Sequence, residues 1–181
     1  MASARERYDR LLSEEVAPPL KANGFRRSRN RFSRPSNGGW QIIDFQASQF
    51  GSAEDVRFTV NLGAAYRELR SRDESWDDKR PPPVYKAHSH ERIGTLLPGC
   101  EDRWWAFAAG TDASALATEL LGVITATALP WLDARASLAE IITLAADHPE
   151  SLGHGERARL PKLLNDAGRS DLASVFTSSG G

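Results

Sequence analysis

The sequence predicts an α+β fold: an antiparallel sheet of about four to five strands packed against N-terminal and C-terminal helices, with a small αα-hairpin near the C-terminal end. Three observations predict it. A helical apolar period opens the chain, strand-like alternation separated by turn residues fills its middle, and helical periodicity returns after residue 111. Short turns between consecutive strands demand antiparallel neighbours. Neither a strand–helix–strand alternation nor a glycine-rich phosphate loop points to a parallel sheet.

Each element has its own signal. Tyr8, Leu11, Leu12 and Val16 recur at near-helical spacing within Ala4 to Ala17. Pro18-Pro19 is expected to end or kink that helix, because neither ring nitrogen donates a hydrogen bond. Three strands are expected at Phe25–Arg34, Trp40–Ser48 and Val56–Tyr66, forming a meander with turns at Pro35–Gly39 and Gly51–Glu54. In the third, Val56, Phe58, Val60 and Leu62 share one face, and Arg57, Thr59 and Asn61 the other. Arg67 to Lys86, with Pro81-Pro82-Pro83 and mixed charges around Trp76, reads as a long loop that is functional or mobile. Glu91–Leu97 and Arg103–Ala108 are the remaining strand candidates. Asp112 caps a helix to about Ala128, where Pro130 interrupts. Ser137 to Glu140 has capping-box spacing. Glu156–Asp166 and Ser170–Phe176 form the hairpin around Gly168.

With 181 residues the expectation is an α+β domain over 1–148 with the helical hairpin of 149–181 appended to it. Apolar content of 40% excludes wholesale disorder, and a net charge of −1 gives no global field towards nucleic acid or anionic membrane. The single cysteine, Cys100, excludes an internal disulfide. Met1–Tyr8 is charged and lacks a signal-peptide core, and Thr118, Glu119, Thr125, Thr127 and Pro130 break the apolar stretch Ala113–Leu132, so no membrane span is expected. Cytoplasm is the expected address.

Several segments, in this order, resemble a bacterial family described only as a domain of unknown function, number 4304. They are Asn23-Gly-Phe25, Ile42-Ile-Asp-Phe-Gln46, Phe58-Thr-Val-Asn-Leu-Gly63, Arg92-Ile-Gly94, Asp102-Arg-Trp-Trp105 and Leu129-Pro-Trp-Leu132, covering roughly residues 8 to 135. The resemblance implies an α+β fold of unassigned activity and transfers no catalytic residue.

Asp44, Gln46, Asn61 and Arg92 are polar groups in otherwise apolar strands, where an unpaired buried amide costs about 1–3 kcal/mol. They form either a ligand-binding polar face or a solvated sheet surface with an internal hydrogen-bond network. Trp104 and Trp105 must point to opposite sides of a strand; burial of both in packing is expected, with a surface pocket as the alternative. The leading reading is a non-catalytic binding domain that uses the polar sheet face and the 67–87 loop to engage a protein or a small polar ligand. An enzyme with a shallow site at Asp44, Gln46, Asn61 and Arg92 is the alternative. The arginine-rich run Phe25–Arg34 invites a nucleic-acid reading, set back by neutralising acids such as Glu54, Asp55, Asp73 and Glu74. His88-Ser-His90 has the alternation of a metal pair, but no zinc-type pattern accompanies it, so neither metal nor cofactor is expected. No nucleophile elbow occurs, and acidic neighbours disfavour a reactive thiolate at Cys100. No catalytic residue is assigned.

Overall fold

The computed structural model describes residues 3–49, 55–71 and 74–177, and the structural statements below concern these residues. The turn expected at Gly51–Glu54, and Asp73 among the neutralising acids, lie outside them.

The chain opens with helix α1 (Ala4–Arg10), a wider π-helical turn (Leu11–Val16) and helix α2 (Ala17–Ala22) in direct succession. Ser3 and Glu6 form a capping box at its start. Pro18-Pro19 therefore does not end the helix. A proline ring clashes with the carbonyl four residues earlier, but the π turn has already displaced that ladder, and the prolines occupy the first positions of the renewed α-helix. The same device recurs at Pro130. Helix α3 (Ala113–Val123) passes through a π turn (Ile124–Ala128) into α4 (Leu129–Asp133), where a break was expected.

Asp112 caps α3, accepting from the Ser114 and Ala115 amides at 3.0 and 3.1 Å. Asp112→Ala is expected to lower stability by about 1 kcal/mol in urea denaturation, with Asp112→Asn close to wild type. Ser137 caps α5 (Leu138–Asp147) as its spacing suggests. Helices α6 (His154–Asp166) and α7 (Ser170–Thr177) follow, with Gly168 at φ +75° between them.

Six strands form one antiparallel sheet: β1 (Arg26–Ser28), β2 (Arg31–Ser36), β3 (Gly39–Ala47), β4 (Asp55–Tyr66), β5 (Ser89–Arg92) and β6 (Trp105–Ala108). The order is β1-β2-β3-β4-β5, with β6 also on β4. The run Phe25–Arg34 is a hairpin rather than one strand. Ser28 pairs with Arg31 around a two-residue turn in which Arg29 takes φ +56°. That conformation ordinarily belongs to glycine or asparagine, so an arginine there hides the turn. Likewise, the expected strand Glu91–Leu97 is β5 followed by a 3-10 turn at Ile93–Leu96.

The chain divides into two compact units, Met1–Arg34 with Ile43–Asn61 and Arg92–Pro130, and Pro35–Ile42 with Leu62–Glu91 and Trp131–Gly181. In the first, an aromatic chain runs through the core. Tyr8 lies 4.9 Å from Phe58, which also meets Phe45 at 6.2 Å and stacks on Trp105 at 5.9 Å. Leu12, Val16, Leu120 and Ile124 of the helices are buried in the same unit.

In the second unit, Ala64 and Tyr66 on one face of β4 share a core with Leu138, Ile141 and Ala145 of α5, Leu160 and Leu164 of α6, and Ala173 and Phe176 of α7. On the other face, Trp40, Ile42, Ala65, Trp76 and Val84 form a smaller cluster. The C-terminal hairpin thus buries its apolar stripe in the core that Tyr66 occupies.

Candidate functional site

The polar residues singled out by alternation lie in the first unit, on the sheet face opposite the aromatic core. Ile43 and Phe45 are buried on the core side of β3, whereas Asp44 is half-buried and Gln46 exposed. In β4, Val56, Phe58 and Val60 face the core, and Arg57, Thr59 and Asn61 alternate with them. Asn61 Nδ2 donates to Gln46 Oε1 at 2.8 Å. Burial raises the Asp44 carboxyl above the usual carboxylate range, with the Arg31 charge opposing it. Thr59 departs from the expected solvent exposure: it is buried, and its hydroxyl donates to the Arg103 carbonyl at 2.8 Å. The segment before β6 covers that position, which a strand-by-strand reading has no means to show.

Arg92 belongs to a second group. Its guanidinium and the Trp104 indole N–H both donate to Asp102 Oδ2, at 2.7 and 2.8 Å. The indole and guanidinium hydrogen bonds hold the Asp102 carboxyl below its usual range. Arg92 also lies over the Trp104 ring, 5.6 Å from its centroid. Gly94 makes this arrangement possible, because a Cβ there would stand 2.3 Å from the Glu101 carbonyl oxygen and 2.4 Å from the Arg103 nitrogen.

Beside this group lies an open hollow of about 370 Å³ whose wall includes Arg57, Leu97, Asp102, Arg103 and Trp104. Arg103 is engaged by Glu119 at 2.7 Å. Arg57 is exposed, and its guanidinium makes no hydrogen bond, ion pair or ring contact among the described residues. Among the described residues it is an uncommitted donor of this surface.

Trp105 is buried against Phe58, and its indole donates to Glu119 Oε1 at 2.8 Å. Trp104 is half-exposed, so the expectation that both indoles are buried in packing is corrected: Trp104 stands just before β6, outside the strand ladder, where Asp102 and Arg92 hold it. The helical run Ala113–Asp133 has the length and a mean hydropathy of 1.5 that would suit a membrane span. About 33% of that run is buried in protein, Leu116, Leu120 and Ile124 among it, and Glu119 accepts from Trp105 and Arg103.

Two of these contacts join segments that carried the family resemblance. Ile42–Gln46 meets Phe58–Gly63 through Gln46 and Asn61, and Arg92–Gly94 meets Asp102–Trp105 through Asp102. The family model described as Domain of unknown function (DUF4304) matches residues 16–134, about two thirds of the chain. The chain belongs to this family. No curated protein and no solved structure matches it. The DUF4304 match contains all six residues Asp44, Gln46, Asn61, Arg92, Trp104 and Trp105, and ends before α5.

The DUF4304 region also contains the Arg67–Lys86 segment of the second unit. Trp76 anchors it, donating to Glu74 Oε2 at 3.1 Å, while its carbonyl accepts from Arg70 at 2.8 Å. Trp40 donates to the Asp77 carbonyl at 2.7 Å, and Arg67 pairs with Asp78 at 2.6 Å. Short 3-10 turns at Arg67–Leu69 and Val84–Lys86 bracket the segment. A hollow of about 410 Å³ opens among Arg67, Arg70, Trp76 and Asp77.

The histidines do not share an environment. His88 is 2% exposed, and its Nδ1 accepts the Tyr66 amide at 2.8 Å, with the Tyr66 ring stacked at 5.8 Å. His90 is exposed, and its Nδ1 lies 2.8 Å from Arg159. Among the described residues no three His, Cys, Asp or Glu side chains gather to hold a metal.

Burial pushes His88 down to about 4; the Arg159 charge adds to this, and the Glu74 charge and the Leu69 carbonyl oppose it. The unfolded chain therefore takes up the proton first. This contribution to stability is complete above about pH 6.5 and is lost as pH falls through 4, by about 3 kcal/mol at its limit. Chemical denaturation at several pH values checks this, with His88→Asn flattening the dependence between pH 6.5 and 4.

Proposed function

We propose that this DUF4304 domain is a non-catalytic binding domain. Its contact surface is the exposed part of the sheet face in the first unit, at Gln46 and Arg57, together with the hollow beside Trp104, and its occupant is a protein or small polar ligand. The observation that carries this reading is Arg57, an exposed guanidinium without a partner among the described residues, at the wall of a hollow shared with a half-exposed indole. Such a pairing supplies a charged hydrogen-bond fork and a flat apolar surface to one ligand.

The surrounding polar groups are committed to one another. Gln46 is held by Asn61, and Asp102 receives both Arg92 and Trp104. Mutual commitment favours a surface of fixed shape over an acid–base pair poised for chemistry. Of the four residues of the enzyme alternative, Gln46 with Asn61 and Arg92 with Asp102 form separate hydrogen-bonded groups, and its remaining support is the raised pKa of Asp44. In the second unit, the Trp76-anchored 67–87 loop is a separate candidate contact element. A cytoplasmic, bacterial setting completes the proposal, and an exposed unpaired Cys100 suits a reducing compartment.

The test follows the Trp104 indole N–H by NMR while the chain is titrated with a panel of carboxylates and short peptides. A ligand that shifts this resonance should lose at least about tenfold in affinity in Arg57→Ala, the size of one charge-assisted contact. Shifts confined to other surfaces, with Arg57→Ala binding as wild type, reject the reading.

A further inference from the structure

Residues 1–34 carry nine Lys and Arg against four Asp and Glu, although the whole chain has a net charge of −1. The first unit gathers part of that excess. Arg5 and Arg10 from α1 and Arg27 and Arg29 from the β1–β2 hairpin line one hollow of about 560 Å³, with Asp9 and Glu14 in the same wall. The carboxylates reach the guanidinium groups only loosely, Arg5–Asp9 at 3.7 Å and Arg10–Glu14 at 3.9 Å. A charge-assisted hydrogen bond needs roughly 2.7–2.9 Å, so both arginines retain donors for another anion.

The hairpin shows the same purpose twice. Arg27 is half-buried and oriented by the backbone, its Nε donating to the Arg29 carbonyl at 2.7 Å and its Nη2 reaching the Asp9 carbonyl at 3.4 Å. Arg29 stands at the turn tip with φ +56°, and its guanidinium has no partner among the described residues. Backbone preference would place glycine or asparagine there. A strained arginine pointing at a hollow with three others is where strain and function coincide.

We propose that this hollow binds two successive phosphate groups, held by the Arg29 fork and by the Nη1 donors of Arg27, with Arg5 and Arg10 supplying further charge. The planar guanidinium matches phosphate oxygens two at a time, and the volume suits a nucleotide-sized group. Either a free nucleotide or pyrophosphate, or successive phosphates of a nucleic-acid strand, presents this chemistry. The site is distinct from the Arg57 hollow and stands without it.

The experiment titrates the full chain with inorganic pyrophosphate and, separately, with a fluorescein-labelled single-stranded oligonucleotide at several salt concentrations. Wild type is compared with Arg27→Gln, Arg29→Gly and, as a control elsewhere, Arg169→Gln. Arg29→Gly removes the strain, so its thermal midpoint should equal or exceed that of wild type and it remains folded. Pyrophosphate affinity should fall at least about tenfold in Arg27→Gln and Arg29→Gly and less than about twofold in Arg169→Gln. Oligonucleotide binding whose logarithmic salt slope shrinks by about one in Arg29→Gly supports the site with nucleic acid as the source. Pyrophosphate binding stronger than that of the oligonucleotide supports it with a free phosphate ligand. Absence of binding to both probes at millimolar concentration, or equal affinity in wild type and Arg29→Gly, overturns the proposal.

Discussion

Glu156→Gln is expected to lower the unfolding free energy by about 3–5 kcal/mol. Glu156 and Arg135 are each 2% exposed and meet side-on, Nε to Oε1 at 2.6 Å and Nη2 to Oε2 at 2.9 Å. The surroundings leave neither charge unattended. Arg135 also donates to the Ser151 carbonyl at 2.9 Å and lies 4.2 Å above the Trp131 ring, while Glu156 accepts the Gly153 amide. Removing one partner strands the other away from water. Removing both is different, because a pair of apolar residues of similar volume avoids desolvation altogether. Arg135→Met with Glu156→Leu should therefore recover much of the loss seen in either single variant. The Ser151 carbonyl and Gly153 amide keep the recovery incomplete. Urea denaturation of wild type, Arg135→Met, Glu156→Leu and the double variant checks the cycle: additive losses would show that the pair contributes no coupling.

Gly94→Ala is the second large effect. The added methyl would meet backbone on two sides, the Glu101 carbonyl and the Arg103 nitrogen, and neither can rotate away as a side chain would. We expect a loss of about 3 kcal/mol and displacement of the Trp104 indole from Asp102, seen as a shift of its N–H resonance. Gly122→Ala is the contrast. Nothing lies within 4 Å of its Cβ position, and it sits inside α3, so the same change there should stabilise by about 0.5–1 kcal/mol.

Much of the sheet was legible in the sequence, because period two is a local property. Val60 and Asn61 fall on opposite faces as alternation requires, whereas Trp104 precedes the strand that begins at Trp105. The caps at Asp112 and Ser137 were legible because capping depends on residues only three positions apart. Proline misled the reading at Pro18-Pro19 and Pro130, since the compensating π turn leaves no distinctive residue pattern. Arg29 misled it too, because a positive φ at arginine is set by strand pairing rather than by the residue's own preference.

At the candidate surface the sequence named the polar residues but could not pair them. Asp102 as the acceptor for both Arg92 and Trp104 needs a ten-residue excursion through the Ile93–Leu96 turn, and Arg57 entering the same hollow needs the β4–β6 register. The buried pair of Arg135 and Glu156 spans 21 residues and looks in sequence like two ordinary surface charges.

Photo-crosslinking in the native host bears most directly on the sheet face as a contact surface. A benzophenone amino acid is placed in turn at Arg57, at Gln46 and, for comparison, at Lys162 on α6. A shared adduct from positions 57 and 46, missing from 162, is the predicted result. Adducts at 162 with none at 57 or 46 would contradict the assignment of this face.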